Sequence, residues 1–140
     1  MTGLAVGFLA VPLVDHAFKW LLHRTLGVRS LSLGILGEVR MRRAPIWFLR
    51  GDARLGRAAL CEMWLAAAGA LVLAAVALPL PGWPIGLVLG GSLSHALETW
   101  RRGAVTDYVA LRGWPAFDLA DVALVIGAGG TLMALGSLMP

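Results

Sequence analysis

The sequence predicts an all-α membrane protein: a bundle of four transmembrane helices with a small β-rich or amphipathic extramembrane insertion between helices one and two. Three observations carry this. Hydrophobic residues make up 59% of the 140-residue chain and charged residues only 14%, where a soluble domain carries about 25% charged residues. The mean hydropathy is +0.79. The apolar residues gather into four stretches, each near the ~20 residues that cross a bilayer as a helix. A chain of this length makes one membrane domain, 1–140, with no room for a second.

Helix one is expected over about 3–22. It has no basic start, and Asp15, His16 and Lys19 interrupt it, so it reads as a retained helix rather than a cleaved signal peptide. The stretch from His23 to Gly56 differs. It mixes seven arginines, among them Arg29, Arg40, Arg42 and Arg43, with Leu, Ile, Val, Trp47 and Phe48. Residues 30–41 alternate irregularly around Gly34 and Gly37, which suits short strands. Residues 45–49 suit an amphipathic interfacial turn with Trp47 at headgroup depth; a disordered basic loop is the alternative. Helix two, about 57–78, is rich in Ala, Leu and Val. Pro79, Pro81 and Pro84 then force a tight connection. Helix three covers about 83–100 and helix four about 117–138, separated by Gly103 and the Gly113-Trp114-Pro115 turn. Gly86, Gly90 and Ser94 on helix three, and Ala120, Ala123, Gly127 and Gly130 on helix four, are spaced for close helix approach in lipid. Generic packing explains most of them, and it brings the ends of helices three and four together.

The formal net charge is +4, and all but one of the twelve basic residues are arginine. With this apolar content the partner of that charge is a lipid headgroup, not nucleic acid. The single cysteine, Cys61, excludes an intramolecular disulfide and reads as a small core residue. The arginines cluster in the first and third connections. The positive-inside rule places those in the cytoplasm and both termini outside.

An ionisable side chain in a membrane segment costs roughly 2.5–3.5 kcal/mol on insertion scales and is a functional candidate by default. Asp107 and Asp121 sit at the facing ends of helices three and four. If the loop from Tyr108 to Ala116 folds back, they meet, and close like charges force one to keep a proton. Such a pair can activate water with one carboxylate and protonate a leaving amine with the other, without a metal. Asp118 and Asp121 also have the spacing of a helix N-cap and its third residue, so capping competes with catalysis, most strongly for Asp118. Asp15 and Lys19 lie four apart on one helix face and suit an intramembrane ion pair, which either locks helix one or touches substrate. Glu62 suits an interfacial pairing with Arg57 or a loop arginine. Glu98 suits a helical salt bridge with Arg101 or Arg102. His95 lies three before Glu98, too few ligands for a metal, and His16 and His23 have no cluster around them.

These residues resemble the lipoprotein signal peptidases, or signal peptidase II. Asp15, Lys19 and Trp20 match that family's first-helix pattern. Gly90, Gly91, Gly103, Val105 and Asp107 match its third-helix motif, with Tyr108 in place of Phe. Pro115, Phe117, Ala120 and Asp121 match its fourth-helix motif. The chain departs from the family where His95 and Asp118 replace asparagines and Glu98-Thr99 replaces Asp-Arg. The first-loop motif is essentially absent from Met41 to Trp47.

The resemblance implies four transmembrane helices and a membrane aspartyl dyad, Asp107 and Asp121. It implies cleavage of prolipoproteins just before a diacylglyceryl-modified cysteine, in the bacterial cytoplasmic (inner) membrane. Asp15, Lys19, His95, Glu98, Asp118 and Trp47 are then the supporting or substrate-binding set. The expected protein is a multi-pass monomer that touches prolipoprotein and membrane lipids and needs no cofactor or metal. The family topology puts both termini in the cytoplasm, opposite to the charge rule. The altered neighbours keep two alternatives open: a specialised paralogue using the same dyad on another lipidated or membrane-soluble substrate, and a non-catalytic lipoprotein-binding relative.

Overall fold

A computed structural model describes residues 2–27, 29–45 and 53–138. In chain order it has α1 (Thr2–Leu26), β1 (Leu31–Ser32), β2 (Gly37–Pro45), α2 (Ala53–Ala77), α3 (Gly82–Arg102), β3 (Ala104–Leu111) and α4 (Leu119–Gly136). A single 3-10 turn, Gly34–Leu36, joins β1 to β2. The fold is mostly helical with one three-stranded sheet, close to the expectation. Of the four expected spans, three are helices long and apolar enough to cross a membrane among the described residues, namely α1, residues Gly56–Ala77 of α2, and α4. The fourth expected span, α3, ends in Glu98, Arg101 and Arg102, which dilute its apolar character.

α3 is the centre of the bundle. α1 and α4 pack along it, and α2 leans on it more lightly. Small residues set the closest approaches, because in lipid the attraction between helices comes from backbone contact rather than from water. A Cβ on Gly86 would sit 2.5 Å from the Leu4 carbonyl oxygen, and one on Gly90 2.5 Å from that of Gly7. On the other side, a Cβ on Gly91 would meet the Ala120 carbonyl oxygen at 2.7 Å, and one on Gly127 that of Pro84 at 2.6 Å. The small-residue pattern therefore works as expected but divides its labour. Gly86 and Gly90 admit α1, and Gly91 and Gly127 admit α4. α1 runs parallel to α3 and α4 antiparallel to it, as the order of these contacts shows. The indole of Trp64 donates to Ser92 Oγ at 3.1 Å and ties α2 to α3. Outward faces carry large apolar side chains such as Leu13, Leu73, Val125 and Met133.

The sheet has the order β1-β2-β3, antiparallel throughout. The strands expected between helices one and two are β1 and β2. The third strand, Ala104–Leu111, falls where the exit of helix three and the first part of the Tyr108–Ala116 loop were expected, and it pairs with β2. Gly103, at φ +68°, caps α3 in the left-handed region and lets the chain leave the helix directly into β3. After the turn at Gly113, Phe117 returns to β3, donating to the Val109 carbonyl at 2.9 Å and accepting from Val109 N–H at 3.0 Å. This brings the start of α4 back beside β3.

The Gly86 contact predicts that Gly86→Val lowers thermal stability in detergent by about 1–3 kcal/mol through overpacking. Gly129→Ala, where an added Cβ meets nothing within 4 Å, should leave the melting temperature unchanged or slightly raised.

Candidate active site

The site forms around one cation. Lys19, buried on α1, has three carboxylates on its ammonium: Asp15 at 2.8 Å, Glu98 at 2.9 Å and Asp118 at 2.5 Å. They come from α1, from α3 and from the N-cap of α4. Four positions separate Asp15 from Lys19, one helical turn, so the first contact is local. The parallel run of α1 and α3 brings Glu98 to the same level. A buried lysine would be costly alone, and three buried carboxylates more so; together they compensate. The expected Asp15–Lys19 pair is present, and it locks α1 to two other elements.

Glu98 corrects one expectation. It is 4% exposed, and its chief partner is Lys19. Its Oε2 also accepts from the Thr106 N–H at 3.1 Å. The helical pair with Arg102 exists only at 3.4 Å. Glu62 is exposed on α2 and has no ion pair among the described residues. Ser94, legible only as a small packing residue, donates its hydroxyl to Asp15 Oδ2 at 2.6 Å. His16, expected to stand apart, lies 3.3 Å from the same hydroxyl.

Asp118 and Asp121 form a reciprocal cap. Asp118 Oδ1 accepts from the Asp121 N–H at 2.9 Å, and Asp121 Oδ2 accepts from the Asp118 N–H at 2.9 Å. The capping expected from the spacing is thus real, and it also fixes both side chains. Asp121 keeps its Oδ1 facing His95 Nε2 at 3.6 Å, with 36% of its side chain exposed. His95 Nε2 is 3.3 Å from Asp118 Oδ1. His95, Asp118 and Asp121 offer ligand atoms within 4.8 Å of one another, a spacing that a metal ion could use. Three of the four carboxylate oxygens are already engaged by Lys19 or by backbone N–H groups, so the donor set reads as a closed hydrogen-bonded cluster.

Asp107 lies on β3 between Thr106 and Tyr108, which are both buried. Strand alternation turns Asp107 to the other face, where Arg42 of β2 is its cross-strand partner in register. Burial raises the Asp107 carboxyl to about 6, with the charges of Asp121 and Asp118 adding to the rise. Burial likewise pushes the Tyr108 phenol up to about 12. Tyr108 Oη accepts from the Leu119 N–H at 2.9 Å, and its ring packs against Phe18 at 5.3 Å between centroids. Tyr108 thereby pins the first turn of α4 to β3 and to α1. Trp47 lies outside the described residues.

A sequence model described as signal peptidase (SPase) II matches residues 7–138. A lipoprotein signal peptidase of Nitratidesulfovibrio vulgaris is 32% identical over 138 residues, covering 84% of this chain and 79% of the relative. One of Halothermothrix orenii is 49% identical over 43 residues, 31% of this chain and 30% of the relative. Several of the most similar relatives match in this way, over about a third of their own length. Two solved structures of a bacterial membrane enzyme, determined by the in meso method, share the fold at 18% identity. Their TM-scores are 0.75 and 0.76, over 98% and 96% of this chain and 89% and 93% of theirs.

The Asp107 environment makes a titration prediction. In lipid nanodiscs its carboxyl band, identified by infrared difference against Asp107→Asn, should titrate near pH 6, and Asp121→Asn should move the midpoint down. A midpoint near 4 in the unmodified protein would contradict the site. Because the folded value lies above the unfolded one, the folded state takes up this proton as pH falls through about 6. On this group's account stability rises, not falls, between pH 7 and pH 5.

Proposed function

The chain belongs to the signal peptidase II family, and from that premise we propose that it is a membrane aspartyl endopeptidase that removes signal peptides from diacylglyceryl-modified prolipoproteins. Its catalytic pair in this reading is Asp107 and Asp121. The observation that carries it is the match to the signal peptidase II sequence model over residues 7–138, which takes in both aspartates; burial and the charge of Asp121 raise the Asp107 carboxyl. One carboxylate of such a pair holds a proton while the other is ionised, which is the division of labour that peptide hydrolysis needs.

Asp121 is the ionised member. In this reading it is assigned that role by its place: it accepts a backbone hydrogen bond, faces His95 and is the more open to water, with 36% of its side chain exposed. It takes a proton from water as the water oxygen attacks the scissile carbonyl carbon. Asp107 carries the proton and hydrogen-bonds the carbonyl oxygen. As the tetrahedral intermediate collapses, the C–N bond breaks and a proton passes to the departing amine, leaving a carboxylate on the signal peptide and a free amino group on the lipidated cysteine. Lys19, Asp15, Glu98 and Asp118 hold the frame. An apolar cavity of about 260 Å³ lined by Val11, Val14, Leu119, Val122 and Ile126 opens beside the first turn of α4, and it suits an acyl chain. The same reading makes α3 a fourth span, carried across the bilayer inside the bundle, and places a monomer in the bacterial inner membrane. Trp47 and the first loop would cover the substrate.

His95 and Asp118 favour a second reading. They stand where the family resemblance has two asparagines, and they are paired with each other. A charged pair beside the dyad suits a paralogue working on a different lipidated substrate.

With a diacylglyceryl-modified prolipoprotein peptide in lipid, Asp107→Asn and Asp121→Asn should each lower kcat by at least about 10²-fold, the lower end of general acid–base contributions. Full activity in either variant sinks the dyad. In the unmodified protein kcat/KM should decline as pH rises through about 6, as Asp107 loses its proton. Expressed in a strain without its own lipoprotein signal peptidase, the chain should restore prolipoprotein processing. Good expression without processing would favour the second reading.

A further inference from the structure

We propose that the cavity on the arginine side of the sheet is a binding site for a phosphate group, separate from the dyad. The cavity is about 630 Å³ and lies among α1, β2, α3 and β3. Arg40 and Arg43 enter it from β2, Arg101 and Arg102 from the end of α3, and Trp20 and His23 from α1. Neither Asp107 nor Asp121 lines it.

The charges on its wall are unbalanced. Among the described residues Glu98 is the sole acid in the lining, and its Oε2 is already taken by Lys19 and the Thr106 N–H. Its Oε1 meets Arg102 only at 3.4 Å, with the Arg102 side chain 56% exposed. Arg40, Arg43 and Arg101 have no carboxylate within 4 Å among the described residues. Four guanidinium groups round one cavity repel one another unless an anion sits among them. Planar guanidinium forks on several sides match the oxygens of a phosphate, which they bind in pairs.

The position fits a phosphate at headgroup depth. α1 and α3 are parallel, so their C-terminal ends and the sheet share one end of the bundle. Trp20 stands there with the Arg24 guanidinium 5.0 Å above its ring, an arrangement suited to the membrane–water interface. A phosphodiester of an anionic phospholipid and a free phosphate ion share this chemistry. The site stands whether or not the chain cleaves peptides, although the shared floor of Lys19, Glu98 and Thr106 places its occupant beside the cluster that frames α4.

The test uses the full chain in nanodiscs of phosphatidylcholine with a minor share of phosphatidylglycerol, and counts retained lipid by native mass spectrometry after extraction. A second arm titrates inorganic phosphate and reads phosphorus line broadening. The variants are Arg40→Gln with Arg43→Gln, both at exposed positions, and Arg29→Gln as a basic residue outside the cavity. Phosphatidylglycerol should be retained over phosphatidylcholine, and the double variant should weaken retention about tenfold or more, given about 1 kcal/mol per arginine at an anionic surface. Arg29→Gln should change it little. Loss in the lipid arm alone assigns the phosphate to a phospholipid; loss in both arms shows that the phosphate group suffices. Equal retention of the two lipids with no phosphate binding would overturn the site. So would undiminished binding in the double variant, or an equal loss in Arg29→Gln.

Discussion

The Lys19 ammonium is the constraint on which the rest of the structure depends. It is the sole lysine of the chain, it is 5% exposed, and it holds carboxylates from α1, from α3 and from the entry to α4. Each of those acids is anchored again. Asp15 accepts from Ser94, Glu98 from the Thr106 N–H, and Asp118 from the Asp121 N–H. One buried cation therefore fixes the relative positions of three helices and, through Thr106, the first half of β3. Burial costs the lysine dearly unless carboxylates stand against its charge.

The proposed catalytic groups hang from that frame at its two edges. Asp121 is fixed through its cap with Asp118, and Asp107 through the strand that Thr106 and Tyr108 hold down. Neither touches Lys19, so they retain oxygens for substrate. The frame also explains how this chain tolerates an acid at 118. Asp118 brings a further negative charge close to the pair, and Lys19 and His95 stand against it. Asn at 118 would cap the helix as well, but it would not form an ion pair with the lysine. His95 and Asp118, where the family resemblance has two asparagines, thus stand as partners 3.3 Å apart.

Much of this was legible in the sequence, and the reason is local. The Asp15–Lys19 pair follows from helix periodicity, the cap from the spacing of Asp118 and Asp121, and the short strands β1 and β2 from the glycines and alternation around Gly34 and Gly37. Close packing followed from small residues at fourfold spacing. What was not legible depended on long-range register. Nothing local says that Glu98, besides meeting Arg102 on its own helix, reaches a lysine 79 positions away. Ser94 shares its spacing signal with packing glycines, and only the parallel run of α1 beside α3 converts it into a donor to Asp15. The strand from Ala104 to Leu111 follows a helix directly, and its pairing partner β2 precedes α2, so periodicity within the segment could not announce it. The fourth expected span is the least apolar of the four for a related reason. α3 is buried by its neighbours, which lets it carry polar residues that a lipid-facing helix of the same length would not.

The role of Lys19 as a charge-balanced hub is tested most directly by thermal unfolding in one lipid environment of three proteins: unmodified, Lys19→Met, and Lys19→Met combined with Glu98→Gln and Asp118→Asn. Removing the cation alone leaves buried carboxylates unpaired and should cost about 3–5 kcal/mol. Neutralising two of those carboxylates should then restore a large part of the loss. A Lys19→Met protein as stable as the unmodified one, or a combined variant that is simply less stable still, would contradict the account.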